Sequence, residues 1–258
     1  MTVTNENDIE YAPNLFLDQY QPTAPPIKGL IINLHGGGWF QGDKAKEADV
    51  ADWLATQGYL VIVPNYRLAP ASHFPAPLED MDLLYQWLQQ SFPNLPKAAI
   101  GGSAGGNLAV ELGLKYDLPA ISLSGILDID QWLQAHEQVV ATDDHVAASA
   151  TASQSIDQDG TDDPFYKWFI LNYLSEQQAH AATPYHHVRS SSGPLLLINS
   201  LTEFVPVSGV IQLSQRYIQL GIPVETILLP GHRHAKGYWA DVKNSILAFL
   251  ARYLTVKS

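Results

Sequence analysis

The sequence contains no cysteine, which excludes disulfides, thiolate metal sites and a cysteine nucleophile together. Basic residues are scarce: 14 lysines and arginines stand against 26 acidic residues, a formal net charge of -12. A chain this acidic repels nucleic-acid phosphates and anionic lipid headgroups, so neither is an expected partner. No uninterrupted apolar run approaches the ~20 residues of a membrane-spanning helix. Met1 to Glu10 is polar and acidic, without the basic and apolar regions of a secretory signal. The expectation is a soluble, cytoplasmic protein. What is present suffices for one sizeable core: 258 residues, 46% of them hydrophobic, an ordinary size for a single α/β domain spanning 1–258.

Along the chain, residues 1–14 read as a short lead-in, and Leu15 to Gln21 alternates as a half-buried strand. Gly29 to Leu34 is an apolar run of buried-strand length, ending at His35-Gly36-Gly37-Gly38-Trp39. Asp43 to Thr56 reads as a helix capped by Asp43, with Val50, Trp53 and Leu54 on one face. Further strands are expected at Tyr59–Pro64, Lys97–Ile100, Pro119–Ser124, Pro194–Asn199 and Val224–Leu229. The helices between and after them are expected at Leu78–Gln89, Ala104–Lys115, about Val207–Leu220 and Tyr238–Tyr253. Strands alternating with helices predict a mostly parallel sheet with helices on both faces. No helix separates the first two strands, so the sheet should begin antiparallel.

The stretch from Asp128 to about His180 interrupts this rhythm and is expected to be a small lid-like insertion. Ala147 to Ser155 is small and polar. Asp162-Asp163-Pro164 should start a helix whose body, Phe165 to Leu171, is apolar nearly all round and therefore covered on both faces. That helix can be a further piece of core, a wall of the substrate site, or both.

Three motifs carry chemistry. Gly101-Gly102-Ser103-Ala104-Gly105 fits G-x-S-x-G, the strand-turn-helix elbow that holds a nucleophilic serine in a strained turn. His35-Gly36-Gly37-Gly38 follows a strand, where bare backbone N–H groups can approach a substrate oxygen. With Ala104, the N–H groups of Gly37 and Gly38 would form an oxyanion hole. His232 and His234 follow the last strand, after the serine in chain order, where a general base belongs. His73, His186 and His187 come too early and read as surface or loop residues. Two carboxylates, Asp128 and Glu203, follow strands between elbow and histidine. Glu203 is favoured as the acid orienting the base, with Asp128 left as the alternative. In open α/β sheets the ligand lies beyond the carboxyl ends of the strands, and His35, Ser103, Asp128, Glu203 and His234 all fall there.

These motifs, together with Tyr66-Arg67-Leu68-Ala69-Pro70, resemble the α/β-hydrolase fold and, within it, the hormone-sensitive-lipase-like carboxylesterases. The resemblance implies Ser103 as nucleophile, His234 as base, Gly37, Gly38 and Ala104 as oxyanion donors, and His35 as a brace for the oxyanion loop. It implies hydrolysis of small-molecule esters through an acyl-enzyme, without a cofactor. Two positions depart from the family pattern. Gly102 stands where an acidic residue usually precedes the serine, and Thr202 aligns with the usual aspartate, Glu203 lying one residue later.

Kynurenine-formamidase-like amidases share a related loop and elbow, which makes an arylformamide the nearest rival substrate. A non-catalytic hydrolase fold that only binds a small molecule typically lacks the base, which this chain keeps. Asp157-Gln158-Asp159-Gly160 is similar to a calcium loop but has its glycine too early and Trp168 at the twelfth position, so no metal is expected. Trp39, Phe40, Phe74, Trp168 and Phe169 are candidates to narrow an acyl pocket, which favours short chains. Self-association is left open.

Overall fold

A computed structural model describes residues 2–143 and 160–254. Eight strands join in one sheet, in the order β1-β2-β4-β3-β5-β6-β7-β8. They are β1 (Val3–Ala12), β2 (Leu15–Pro22), β3 (Leu30–Leu34), β4 (Leu60–Pro64), β5 (Lys97–Gly102), β6 (Ala120–Leu123), β7 (Leu195–Ser200) and β8 (Val224–Leu229). From β4 to β8 every pair is parallel, while β2 pairs antiparallel with both β1 and β4. The antiparallel start is therefore present, but β2 lies beside β4 rather than beside β3.

The expected lead-in at 1–14 is a strand instead. β1 is an edge strand whose sequence, VTNENDIEYA, is mostly polar and mostly exposed. It pairs through its backbone with β2, so no apolar alternation announces it.

The central strands are buried on both sides, which is why they read as continuous apolar runs. Successive residues serve opposite faces. Leu30, Ile32 and Leu34 join a core with α2 (Ala76–Ser91), α3 (Ala104–Tyr116) and α6 (Ser208–Leu220). Ile31 joins a second core with α1 (Ala48–Thr56) and α7 (Trp239–Tyr253). Asp43 caps as expected, its carboxylate accepting from Ala45 N at 2.8 Å, but it opens a 3-10 turn (Lys44–Glu47) that precedes α1.

The described part of the insertion contains α4 (Asp130–Ala135) and α5 (Asp163–Tyr173). Asp162 caps α5 by accepting from Phe165 N at 3.2 Å, and Pro164 sits in its first turn. The small polar stretch 147–155 and the acidic residues 157–159 lie outside the described residues. Buried Lys167 ties α5 to the end of α4: its ammonium donates to the carbonyls of His136, Glu137 and Val139 at 2.9–3.0 Å. No helix among the described residues is long and apolar enough to cross a membrane.

Candidate active site

At the end of β5 the chain reverses into α3 within one residue. Ser103 has φ 55° and ψ -123°, a conformation rare for a side-chain-bearing residue. Tertiary hydrogen bonds hold it there: Ser103 N donates to Leu123 O at 2.8 Å, and Asn107 N to Ser103 O at 3.1 Å. The flanking glycines are required by close approach. A Cβ on Gly101 would stand 2.2 Å from Gly105 O, and one on Gly105 would stand 2.2 Å from Leu34 O. Gly102 faces Ala235, whose methyl would be 3.1 Å from an added Cβ. A side chain at 102 would crowd the loop that carries His234.

The loop after β3 winds beside the elbow. Gly37 has φ 113°, and its carbonyl accepts from both Phe40 N and Gln41 N at 3.1 Å. Neither Gly37 N nor Gly38 N donates to a backbone carbonyl among the described residues. His35 is almost wholly buried, and its Nδ1 lies 2.8 Å from Gly36 O. A carbonyl can only accept, so the ring proton sits on Nδ1. Burial pushes the His35 pKa down to about 4, so the ring stays neutral at physiological pH. Tyr66 supports it twice, stacking on the ring at 4.2 Å and donating its hydroxyl to His35 O at 2.8 Å. The Tyr-Arg motif is anchored in turn where Arg67 Nε donates to the buried Asp80 at 2.7 Å.

On the far side of the elbow, His234 is buried while His232 is exposed, which separates the two candidates by location. His234 Nδ1 lies 2.5 Å from Glu203 Oε2, both side chains being nearly inaccessible. The other carboxylate oxygen, Oε1, accepts from Ser200 N at 2.6 Å and Ser124 Oγ at 2.9 Å. Ser124 Oγ also accepts from Ala235 N at 2.9 Å and lies 2.7 Å from the Tyr238 hydroxyl.

The other acid candidates lie elsewhere. Asp128 accepts from Ser208 Oγ at 2.8 Å and Gln212 Nε2 at 3.0 Å, at the start of α6. Thr202 is exposed and donates its hydroxyl to Gly231 O at 3.0 Å. Of the early histidines, His186 pairs with Asp130 and half-buried His187 with Glu111. His73 Nδ1 lies 3.0 Å from Asn172 O. Among the described residues no group of acidic or histidine side chains could hold a metal ion.

Ser103, Gly37, Gly38 and His234 line one cavity. Phe40, Phe165, Phe169 and Phe204 form its aromatic side. Phe204 meets the His234 ring edge-to-face at 5.8 Å. The α5 side chains are thus both core and wall: Phe165 and Phe169 belong to the main core and also face the cavity. Of the five aromatics singled out from the sequence, Phe40 and Phe169 line it. Trp39 is buried against Tyr173 at 4.3 Å, and Phe74 and Trp168 do not reach the cavity. Sequence reasoning missed Phe165, Phe204, Ser124 and Tyr238. Ser124 is the residue that follows β6, and its φ of 53° has no signature in a run such as Ser122-Leu123-Ser124.

Residues 17–216 match the family described as BD-FAE. The chain belongs to the BD-FAE family. Among curated relatives of this BD-FAE chain, mouse (Mus musculus) hormone-sensitive lipase is 31% identical over 109 residues, covering 40% of this chain and 14% of the lipase. An esterase of Gibberella moniliformis is 28% identical over 227 residues, covering 80% of this chain and 66% of its own. The matched stretches span less than two thirds of either relative. Carboxyl esterase 2 of the mycorrhizal fungus Tuber melanosporum superposes with a TM-score of 0.75 at 17% identity, over 98% of this chain and 88% of that one. The fold is that of the α/β hydrolases.

Proposed function

We propose that this BD-FAE chain is a serine carboxylesterase that hydrolyses small-molecule esters by acyl transfer. The observation that carries the reading is the Glu203–His234 contact at 2.5 Å, His234 lining the same cavity as Ser103. A carboxylate on Nδ1 fixes the tautomer in which the other ring nitrogen, Nε2, accepts a proton. His234 then takes the hydroxyl proton as Ser103 Oγ attacks the ester carbonyl. The backbone N–H groups of Gly37, Gly38 and Ala104 hold the oxyanion. Imidazolium, stabilised by Glu203, returns the proton to the leaving alcohol, and water repeats the sequence on the acyl-enzyme. His35, stacked on Tyr66 and bonded to Gly36 O, keeps the oxyanion loop in shape. The aromatic side of the cavity limits room for an acyl chain and supports short-chain esters.

The test is Ser103→Ala. Hydrolysis of p-nitrophenyl acetate should vanish while the thermal midpoint stays within about 2 °C of wild type. Retained turnover would remove Ser103 from the reaction. An acyl-length series run beside an arylformamide reads the substrate class: activity should fall by eight carbons, and a faster arylformamide would make the protein an amidase.

A further inference from the structure

The cavity that holds Ser103 has two unlike ends. One is the aromatic wall contributed by α5 and its neighbours. The other runs to the face of the sheet covered by α1 and α7, where Val50, Ile100 and Leu123 line it. Polar side chains interrupt that apolar end: Lys46 and Lys236, and with them Asn33 of β3 and Glu47 of the 3-10 turn. The acyl-transfer chemistry uses neither of the last two.

Both are buried, at 2% and 7% exposure, and both are short of partners. Asn33 Nδ2 meets no acceptor among the described residues. The Glu47 carboxyl receives no hydrogen bond there either, its nearest charge being Lys236 Nζ at 3.9 Å. Lys236 is already engaged, donating to Lys46 O at 2.6 Å and to Asp49 at 2.5 Å. Buried polar groups are almost always hydrogen-bonded, so an unmatched amide N–H and a carboxyl that receives no hydrogen bond, lining the same substrate cavity, point to a ligand group.

Its chemistry follows from theirs. An amide N–H needs an acceptor, and a carboxylate needs a donor; a hydroxyl is the smallest group that is both. An anionic substituent would be repelled by Glu47 in its ionised form, and a cationic one by Lys236 beside it. An alkyl group would leave both side chains unmatched. We infer that Asn33 and Glu47 form a hydrogen-bonding subsite for a substrate hydroxyl, selecting hydroxylated esters over alkyl ones. The inference rests on the ester-hydrolysis reading only for its kinetic readout. The hydroxyl belongs to the acyl part or to the alcohol part of the ester, and each source has its own substrate pair.

Ethyl 3-hydroxybutanoate against ethyl 3-methylbutanoate tests the acyl side, and 2-hydroxyethyl butyrate against propyl butyrate tests the alcohol side. Each pair exchanges a hydroxyl for a methyl. In one pair the hydroxylated member should be preferred in kcat/KM by roughly tenfold, the worth of one or two net hydrogen bonds. Asn33→Leu and Glu47→Met should each reduce that ratio towards unity while the alkyl member is still hydrolysed. The same ratios, measured as Kd on Ser103→Ala protein by calorimetry, decide the subsite without turnover. Ratios near one in both pairs for the unsubstituted site, or ratios unchanged in both variants, would overturn it. An absence of hydrolysis with a Kd preference intact would instead sink the esterase reading and leave the subsite standing.

Discussion

Two buried glutamates serve the Ser103 cavity in opposite circumstances: Glu47 lines it, while Glu203 stands behind the lining residue His234. Glu203 is surrounded by donors: Ser200 N and Ser124 Oγ on one oxygen, His234 on the other. Glu47 receives none among the described residues, and burial pushes its pKa up to about 7 from an ordinary 4.5. The difference is one of preparation. A carboxylate that must steady a developing imidazolium needs its remaining lone pairs occupied, so that neither its charge nor its rotamer drifts during the reaction. A carboxyl whose partner arrives with the substrate must be left unmatched until then. Nearby Asp128, bonded to Ser208 and Gln212 and pushed upward in pKa mainly by burial, belongs to packing at the start of α6.

The largest effect should come from attacking the prepared carboxylate. Glu203→Gln keeps the shape but offers His234 an amide, and removal of the comparable charge in serine triads costs about 10⁴ in kcat. A loss of 10³–10⁴ in steady-state ester hydrolysis is expected, with Asp128→Asn staying within about fivefold of wild type. Equal losses in both variants would erase the distinction between Glu203 and Asp128.

The second effect is on stability and concerns the unprepared carboxyl. Glu47 holds its proton more tightly folded than unfolded, so between about pH 4.5 and 7 the native state binds more protons. Stability from this group is therefore lost as pH rises through that window. A shift from 4.5 to about 7 limits the loss to about 3 kcal/mol. The groups acting on it are Lys236, Asp49 and Lys46, of which Lys236 opposes the shift most. Glu47→Gln should gain stability relative to wild type between pH 5 and pH 8 in denaturant unfolding. A difference that does not change with pH would mean that Glu47 is ionised throughout.

The smallest effect is expected at Thr202, the neighbour that aligns with the family's aspartate. Its exposed hydroxyl bonds only Gly231 O, so Thr202→Val should cost under about 1 kcal/mol and leave kcat within twofold. A large loss of kcat would bring Thr202 into the machinery and weaken the case for Glu203.

Most of the sheet was legible because its central strands are buried on both faces and so appear as apolar runs. The exception, β1, is held by backbone pairing at an edge, where side chains need no pattern. The elbow and the oxyanion loop were legible for a different reason. The constrained positions are close together in sequence: Gly101 must admit the backbone of Gly105 and Gly105 that of Leu34, on either side of Ser103, and Gly37 must take a positive φ. Such constraints fall on neighbouring residues and leave a short motif.

The sequence alone therefore determined the α/β alternation, the strained serine, the glycine loop before it and a histidine after the last strand. It left Glu203 beside Asp128 and Thr202 as carboxyl or aligned neighbour, because what separates them is not local. Only the tertiary structure brought Glu203 to His234 across 31 positions and Ser124 to Glu203 across 79. Only there do Asn33 and Glu47, unremarkable in their strand and turn, meet at one end of the Ser103 cavity. The physical reason is that hydrogen-bond partners are chosen by direction and burial, and those exist only once the sheet has set its strand ends side by side.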